Sequence, residues 1–141
     1  FGASTFSPSL LQLLQKEVSL HWNQIECSLS QSSSMFDGTL DYHQIHAIGT
    51  MAWSPLGSFF KEENSTGKRV KELLSSLAQK YTLTEDQLLL AWLLQHPARI
   101  HPVVGTTRID RLKTAKETSN VKLDIQDWFL LLEAQKGERV P

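Results

Sequence analysis

The chain has 141 residues, 40% of them hydrophobic, with 14 basic and 15 acidic side chains and a formal net charge of −1. That composition fits one folded, soluble domain, and the charge balance gives no reason to expect nucleic acid or an anionic membrane as a partner. The single cysteine, Cys27, excludes an internal disulfide, reads as a small buried hydrophobe, and fits a reducing, cytoplasmic setting. No apolar run approaches the roughly 20 residues of a membrane span, and no signal-peptide pattern is seen.

The segment FGAST (1–5) reads as a strand. Ser7-Pro8 follows, a cap residue and a proline placed for a helix start, and LLQLLQK continues that helix. VSLHWNQIE (18–26) reads as a second strand, CSLSQSSS (27–34) as a polar loop, and FDGTLDYHQIHA (36–47) as a helix. IGTMAWSPLG (48–57) reads as a third strand, ended by Pro55 and Gly57. SFFKEENSTG (58–67) reads as a charged, mobile loop.

In KRVKELLSSLAQKY the residues Val70, Leu73, Leu74, Leu77 and Ala78 form one helical stripe. Thr84 then caps a helix through Leu94 whose run from Leu88 is apolar on nearly every side, which predicts burial. IHPVVG (100–105) reads as a fourth strand. Helical patterns follow from about Ile109, the last capped by Asp124 and carrying Ile125, Trp128, Phe129 and Leu132 as its stripe.

Strand and helix therefore alternate four times, which calls for a parallel sheet, because parallel neighbours need a crossover. Two architectures satisfy that order, an open doubly wound sheet and part of a (β/α)8 barrel. No G-x-G-x-x-G stands at a strand–helix junction, as the first would favour. Each strand's carboxyl end carries polar or special residues (Ser4, Gln24, Ser54, Gly57, Thr106, Thr107), which is where barrel enzymes keep their sites. A whole barrel takes about 250 residues. With Phe1 in place of methionine and a strand already under way, the chain is expected to be a piece of something longer.

Three stretches carry candidate chemistry. In PVVGTTRIDRL (102–112), Gly105, Thr106, Thr107, Arg108 and Arg111 combine close backbone approach, hydroxyls and cations at a helix start, the ingredients of a phosphate site. The plainer alternative is a helix start whose arginines are solvated and whose Asp110 pairs locally. In MAWSPLG, Trp53 can stack on a planar ring while Ser54, Leu56 and Gly57 turn the backbone past a ligand; the alternative is a core tryptophan before a proline turn. In HWNQIE, Gln24 shares strand parity with Trp22, and its amide can grip a carboxamide or be satisfied by nearby backbone. The five histidines show no metal-ligand spacing, and no nucleophile stands beside a base.

Taken together, FGAST-FSPSLLQLL, NQIE, AWSPLG and PVVGTTRIDRL resemble the carboxyl-terminal half of an aldo-keto reductase, strands five to eight. The resemblance covers essentially the whole chain. It implies an α/β fold, half of a (β/α)8 barrel, from a parent that reduces aldehydes and ketones with NADPH. Ser4 and Gln24 match the residues that hold the nicotinamide carboxamide, with Thr5 in place of the usual asparagine. Trp53 matches the aromatic beneath the nicotinamide, and Ser54, Leu56 and Gly57 match the pyrophosphate turn. Thr106, Arg108 and Arg111 match the segment that clasps the 2′-phosphate and adenosine, while Thr114 and Ala115 replace the usual Glu and Asn beside adenine.

The family's catalytic Asp, Tyr, Lys and His belong to strands one to four, and neither Tyr42 nor Tyr81 matches that tyrosine. The expectation is therefore a cofactor-binding half, inactive alone, with NADP(H) as cofactor, NAD(H) as a possible substitute, and a small carbonyl compound as the parent's substrate. A half-barrel has two free sheet edges, so its expected partner is the amino-terminal half or a second copy. A non-catalytic relative that senses nucleotide or binds a partner, or an unrelated phosphate-binding barrel, are the rival readings.

Overall fold

In the computed structural model, which describes residues 1–58, 61 and 63–140, four strands lie side by side in the order of the sequence. β1 (Gly2–Ser4), β2 (Trp22–Glu26), β3 (Gly49–Trp53) and β4 (Ile100–Pro102) are all parallel. Helices supply the crossovers. α1 (Pro8–Leu14) joins β1 to β2, α2 (Thr39–Ile45) joins β2 to β3, and α3 (Ser65–Tyr81) with α4 (Glu85–Leu94) joins β3 to β4. α5 (Ile109–Glu117) and α6 (Ile125–Lys136) complete the described chain.

Local chemistry accounts for these boundaries. The Ser7 hydroxyl accepts from Leu10 N–H, with Pro8 in the first turn. Thr84 and Gln87 form a reciprocal capping box at the start of α4. Asn64 caps α3 by accepting from Gly67 N–H at 2.7 Å, so the helix takes in Ser65 to Gly67, which the sequence reads as loop. Part of that loop, positions 59, 60 and 62, lies outside the described residues. Expected strands 18–26 and 48–57 shrink to Trp22–Glu26 and Gly49–Trp53, and the expected helix 36–47 shrinks to α2, preceded by a single 3-10 turn at Ser33–Met35. Asp124 starts α6 without a side-chain cap, because its carboxylate bonds Lys80 instead.

The two faces of the sheet differ. Asn23, Ile25, Thr50, Ala52 and Ile100 point under the helices and are buried. Trp22, Gln24, Glu26, Met51, Trp53 and His101 alternate with them and line the other, open face. Trp22 is 41% exposed there and meets His101 edge-on at 5.1 Å. Its indole lies flat across Gly49, where a Cβ would come within 2.4 Å of the ring. Glycine is what lets the ring lie down.

The helix side carries the core. Ile25, Ala52 and Ile100 pack against Val70 and Leu74 of α3, the α4 run, and Leu131 and Leu132 of α6. α4 is buried from Gln87 through Leu93, as its all-round apolar surface predicts. Trp92 and Trp128 stack at 4.8 Å and 11°, and each indole N–H donates to the other's carbonyl, at 3.0 and 2.8 Å. Both polar ends of this large apolar pair are thereby satisfied.

One polar network is sealed beneath the sheet. The Asn23 amide donates to Phe6 O at 2.9 Å and to His43 Nε2 at 3.1 Å, and its oxygen accepts from Phe6 N–H at 3.4 Å. His43 Nδ1 then donates to Thr50 Oγ1 at 2.8 Å. The amide can only donate to Nε2, so the imidazole carries its proton on Nδ1. Burial holds the His43 pKa below its ordinary value, against a smaller opposing pull from Asp37. Cys27 is buried, and burial pushes its thiol pKa up, in keeping with a packing role. Among the described residues no helix is long and apolar enough to cross a membrane, and no cluster of potential ligands could hold a metal ion.

Candidate binding cleft at the strand ends

In a strand–helix–strand unit, the crossover helix begins at the end of the sheet where the first strand finishes. The carboxyl ends of the strands and the first turns of the helices therefore meet at one rim. At that rim, beside β3 and β4, lies a cleft of about 530 Å³. Its walls come from the Ser54–Gly57 turn after β3, the first turns of α4 and α5, and the segment 103–106 after β4.

The turn after β3 is strained. Ser54 adopts φ +50, uncommon for a residue with a side chain, and Gly57 adopts φ +69. Gly57 N–H donates to Ser54 O at 2.9 Å, closing the turn. A Cβ on Gly57 would come within 2.2 Å of the Ser30 hydroxyl, so this position is reserved for glycine. Gly105 differs. Its φ is ordinary, and a Cβ there would meet nothing within 4 Å. The fold does not demand this glycine, and its missing side chain leaves the cleft open to backbone approach.

The apolar walls are Leu56, Leu90, Val103 and Val104, and the polar ones include Thr84, Gln87, Thr106 and Arg111. The Gln87 side chain is held at both ends, accepting from Thr84 N–H at 3.0 Å and donating to Thr114 O at 3.3 Å. Thr106 Oγ1 accepts from Arg108 N–H at 3.2 Å and so shapes the entry to α5. Thr114 spends its hydroxyl on the helix, donating to Asp110 O at 3.0 Å.

Both arginines already have carboxylate partners. Arg108 bonds Asp110 at 2.6 Å, and that guanidinium holds the Asp110 carboxyl below its usual range. This local pairing is the plainer alternative stated for Arg108, which precedes α5 and does not line the cleft. Arg111 does line it and reaches across to Asp86 in the first turn of α4, at 2.8 Å. The two arginines thus serve different carboxylates and do not act as one helical pair.

Of the candidates named from the sequence, Ser54, Leu56, Gly57, Gly105, Thr106 and Arg111 gather around this cleft. Ser4, Gln24 and Trp53 lie outside it, in a row along the open face at the strands' carboxyl ends. Ser4 is register partner to Gln24, and Trp53 to Glu26, while Trp53 immediately precedes Ser54 in the cleft. Sequence reasoning missed the α4 contribution of Thr84, Asp86 and Gln87. The capping box T-E-D-Q was the available signal, since a crossover helix must start at this rim.

Tyr81 and Lys80, side chains that could suggest acid chemistry, belong elsewhere. The Tyr81 hydroxyl donates to Asp127 and accepts from Asp124 N–H, and Lys80 bonds both acids, clasping α3 to α6. Burial and the bond to Asp127 raise the Tyr81 pKa, the reverse of what a proton donor near neutrality needs.

Four parallel strands in sequence order, with helices over one face, the other face open and a cleft at the strand ends, follow the plan of an α/β barrel rather than of a doubly wound sheet. A family model described as the aldo/keto reductase family matches residues 1–135. The chain is 36% identical over 146 residues to the uncharacterized oxidoreductase YcsN of Bacillus subtilis (strain 168), covering 100% of this chain and 49% of that protein. It is 36% identical over 141 residues to a 6-dehydroglucose reductase of Agrobacterium fabrum, covering 99% of this chain and 47% of that one. Among solved structures, a thermostable aldo-keto reductase in complex with epalrestat superposes at a TM-score of 0.82, with 24% identity over 94% of this chain and 47% of that one. An aldo/keto reductase from Klebsiella pneumoniae in complex with NADP and acetate superposes at 0.79, with 21% identity over 92% and 46%.

The chain belongs to the aldo/keto reductase family. It spans about half the length of the relatives it matches, and its four parallel strands alternate with helices as half of a (β/α)8 barrel.

Proposed function

We propose that this chain is the carboxyl-terminal, cofactor-binding half of an NADP(H)-dependent reductase that converts aldehydes or ketones to alcohols, with NAD(H) as a second usable cofactor. The observation that carries the reading is the cleft, where a turn glycine, an undemanded glycine, hydroxyls and Arg111 converge at the strand ends. The open space at Gly105 fits close approach of a phosphate to the backbone. Gly57, Ser54 and Leu56 would hold the pyrophosphate, Arg111 and Thr106 the adenosine end, and Trp53 would lie beneath the nicotinamide. Gln24 and Ser4 would orient its carboxamide, with Arg108 steering from outside.

When bound, such a cofactor supplies the hydride. These residues bind it, fix its orientation and keep one wall of the site apolar. Proton donation to the carbonyl oxygen falls to residues of a companion half, which would close the open face; the other partner that fits the free edges is a second copy.

The test is titration of NADP+ and NAD+ into the purified protein, followed by tryptophan fluorescence. Quenching is expected with both, reduced by Trp53→Ala. Arg111→Ala should weaken NADP+ more than NAD+, by about 1–3 kcal/mol for a lost charge-assisted bond. Absence of quenching, or equal losses in Arg111→Ala, would refute the assignment.

A further inference from the structure

We propose that Asp86 is a specificity-determining residue of this cleft, competing with a ligand phosphate for the Arg111 guanidinium and shifting preference from NADP(H) toward NAD(H). The proposal rests on the dinucleotide reading above and concerns one residue that reading does not use.

Asp86 is fixed where it stands. It occupies the first turn of α4, whose start the Thr84–Gln87 capping box pins, and a carboxylate is favoured at a helix amino terminus. From there its Oδ2 lies 2.8 Å from Arg111 Nη2, and both side chains remain half-exposed to the cleft, at 39% and 50%. Among the described residues, the charged ones lining the cleft are Asp86, Asp110 and Arg111, two carboxylates against one guanidinium. Arg108, the nearby second cation, is held by Asp110 and stands outside. The described residues at the adenosine end of the proposed site thus offer a phosphate no net positive charge.

The two cofactors differ there by a phosphate against a hydroxyl. A 2′-phosphate bonded to Arg111 has to share the guanidinium with Asp86 or displace it, and either way the carboxylate sits beside a dianion, a like-charge contact that opposes binding. A ribose 2′-hydroxyl can donate to the Asp86 carboxylate while the ion pair stays intact, the usual way an acidic residue selects the unphosphorylated dinucleotide.

The experiment is calorimetric titration of NAD+ and NADP+, separately, into the purified wild type, Asp86→Asn and Asp86→Glu. In Asp86→Asn, NADP+ should bind roughly tenfold more tightly, a change of about 1.4 kcal/mol, while NAD+ stays level or weakens. Asp86→Glu keeps the charge and should keep the wild-type ratio. If the Asp86→Asn variant binds both cofactors with the wild-type ratio, or if Asp86→Glu behaves like Asp86→Asn, the role of Asp86 is overturned while the dinucleotide reading stands. If neither cofactor binds any of the three proteins, the dinucleotide reading falls, and this role with it.

Discussion

His43 shows how one side chain ties burial to solution behaviour. Both ring nitrogens are engaged, one accepting from Asn23 and the other donating to Thr50, so a second proton would point at an amide N–H₂. Burial lowers the folded-state pKa from its ordinary 6.5, hence the unfolded chain takes up a proton first as pH falls. His96 is shifted the same way, chiefly by burial. The sign is that of a depressed group. Stability is full above about pH 6.5 and is lost as pH falls toward and through the folded value. The depressed carboxyls of Asp110 and Asp127 lie below 3.8 and act only in stronger acid. We therefore expect a lower urea midpoint at about pH 5.5 than at about pH 7.5, and a smaller difference in His43→Gln. Identical midpoints at both pH values would contradict the assignment.

At the scale of elements, the two glycines at the rim make contrasting demands. Gly57→Ala forces a side chain into positive φ and against Ser30, and should cost about 1–3 kcal/mol in urea unfolding. Gly105→Ala has an ordinary φ and empty space, and should stay within about 0.5 kcal/mol of wild type. Equal effects would mean the turn is not strained as described. The same contrast explains what the sequence could and could not reveal. The helix starts at Ser7 and Thr84 and the buried run Leu88 to Leu93 were legible, because caps and periodicity are local. The strand ends were not: Trp22–Glu26 occupies only part of its apolar stretch, since pairing, a tertiary event, sets its length. The site was legible where residues follow a strand directly, as at Ser54 to Gly57. The T-E-D-Q cap marks the turn that carries Asp86, but its pairing was hidden, because Arg111 lies 25 residues further along the chain and only folding brings the two together.

For the whole molecule, the balance between covered and uncovered surface sets the expectation. Among the described residues, β1 and β4 each lack a neighbour on one side, and Trp22 stands on the open face. α1 and α6 add Leu13 and Ile125, both 62% exposed, and Phe129. Free parallel edges together with exposed apolar side chains favour association. Sedimentation velocity on this chain should show species that grow with concentration, and Leu13→Lys combined with Ile125→Lys should shift them toward monomer. A single monomeric boundary at all concentrations would count against it.

The polar triad beneath the sheet has a bearing on which way the open face looks. Asn23 and Thr50 are register partners on adjacent strands, and His43 clips the two together from the helix side. Sliding β2 by a single residue would turn Asn23 outward, leave the imidazole without its donor, and send Gln24 into the core. An apolar layer tolerates such slippage more readily than a trio of interlocked donors and acceptors does. The concealed side of the sheet therefore acts as a keyway for the exposed one, fixing the aim of Gln24 through contacts no ligand ever touches.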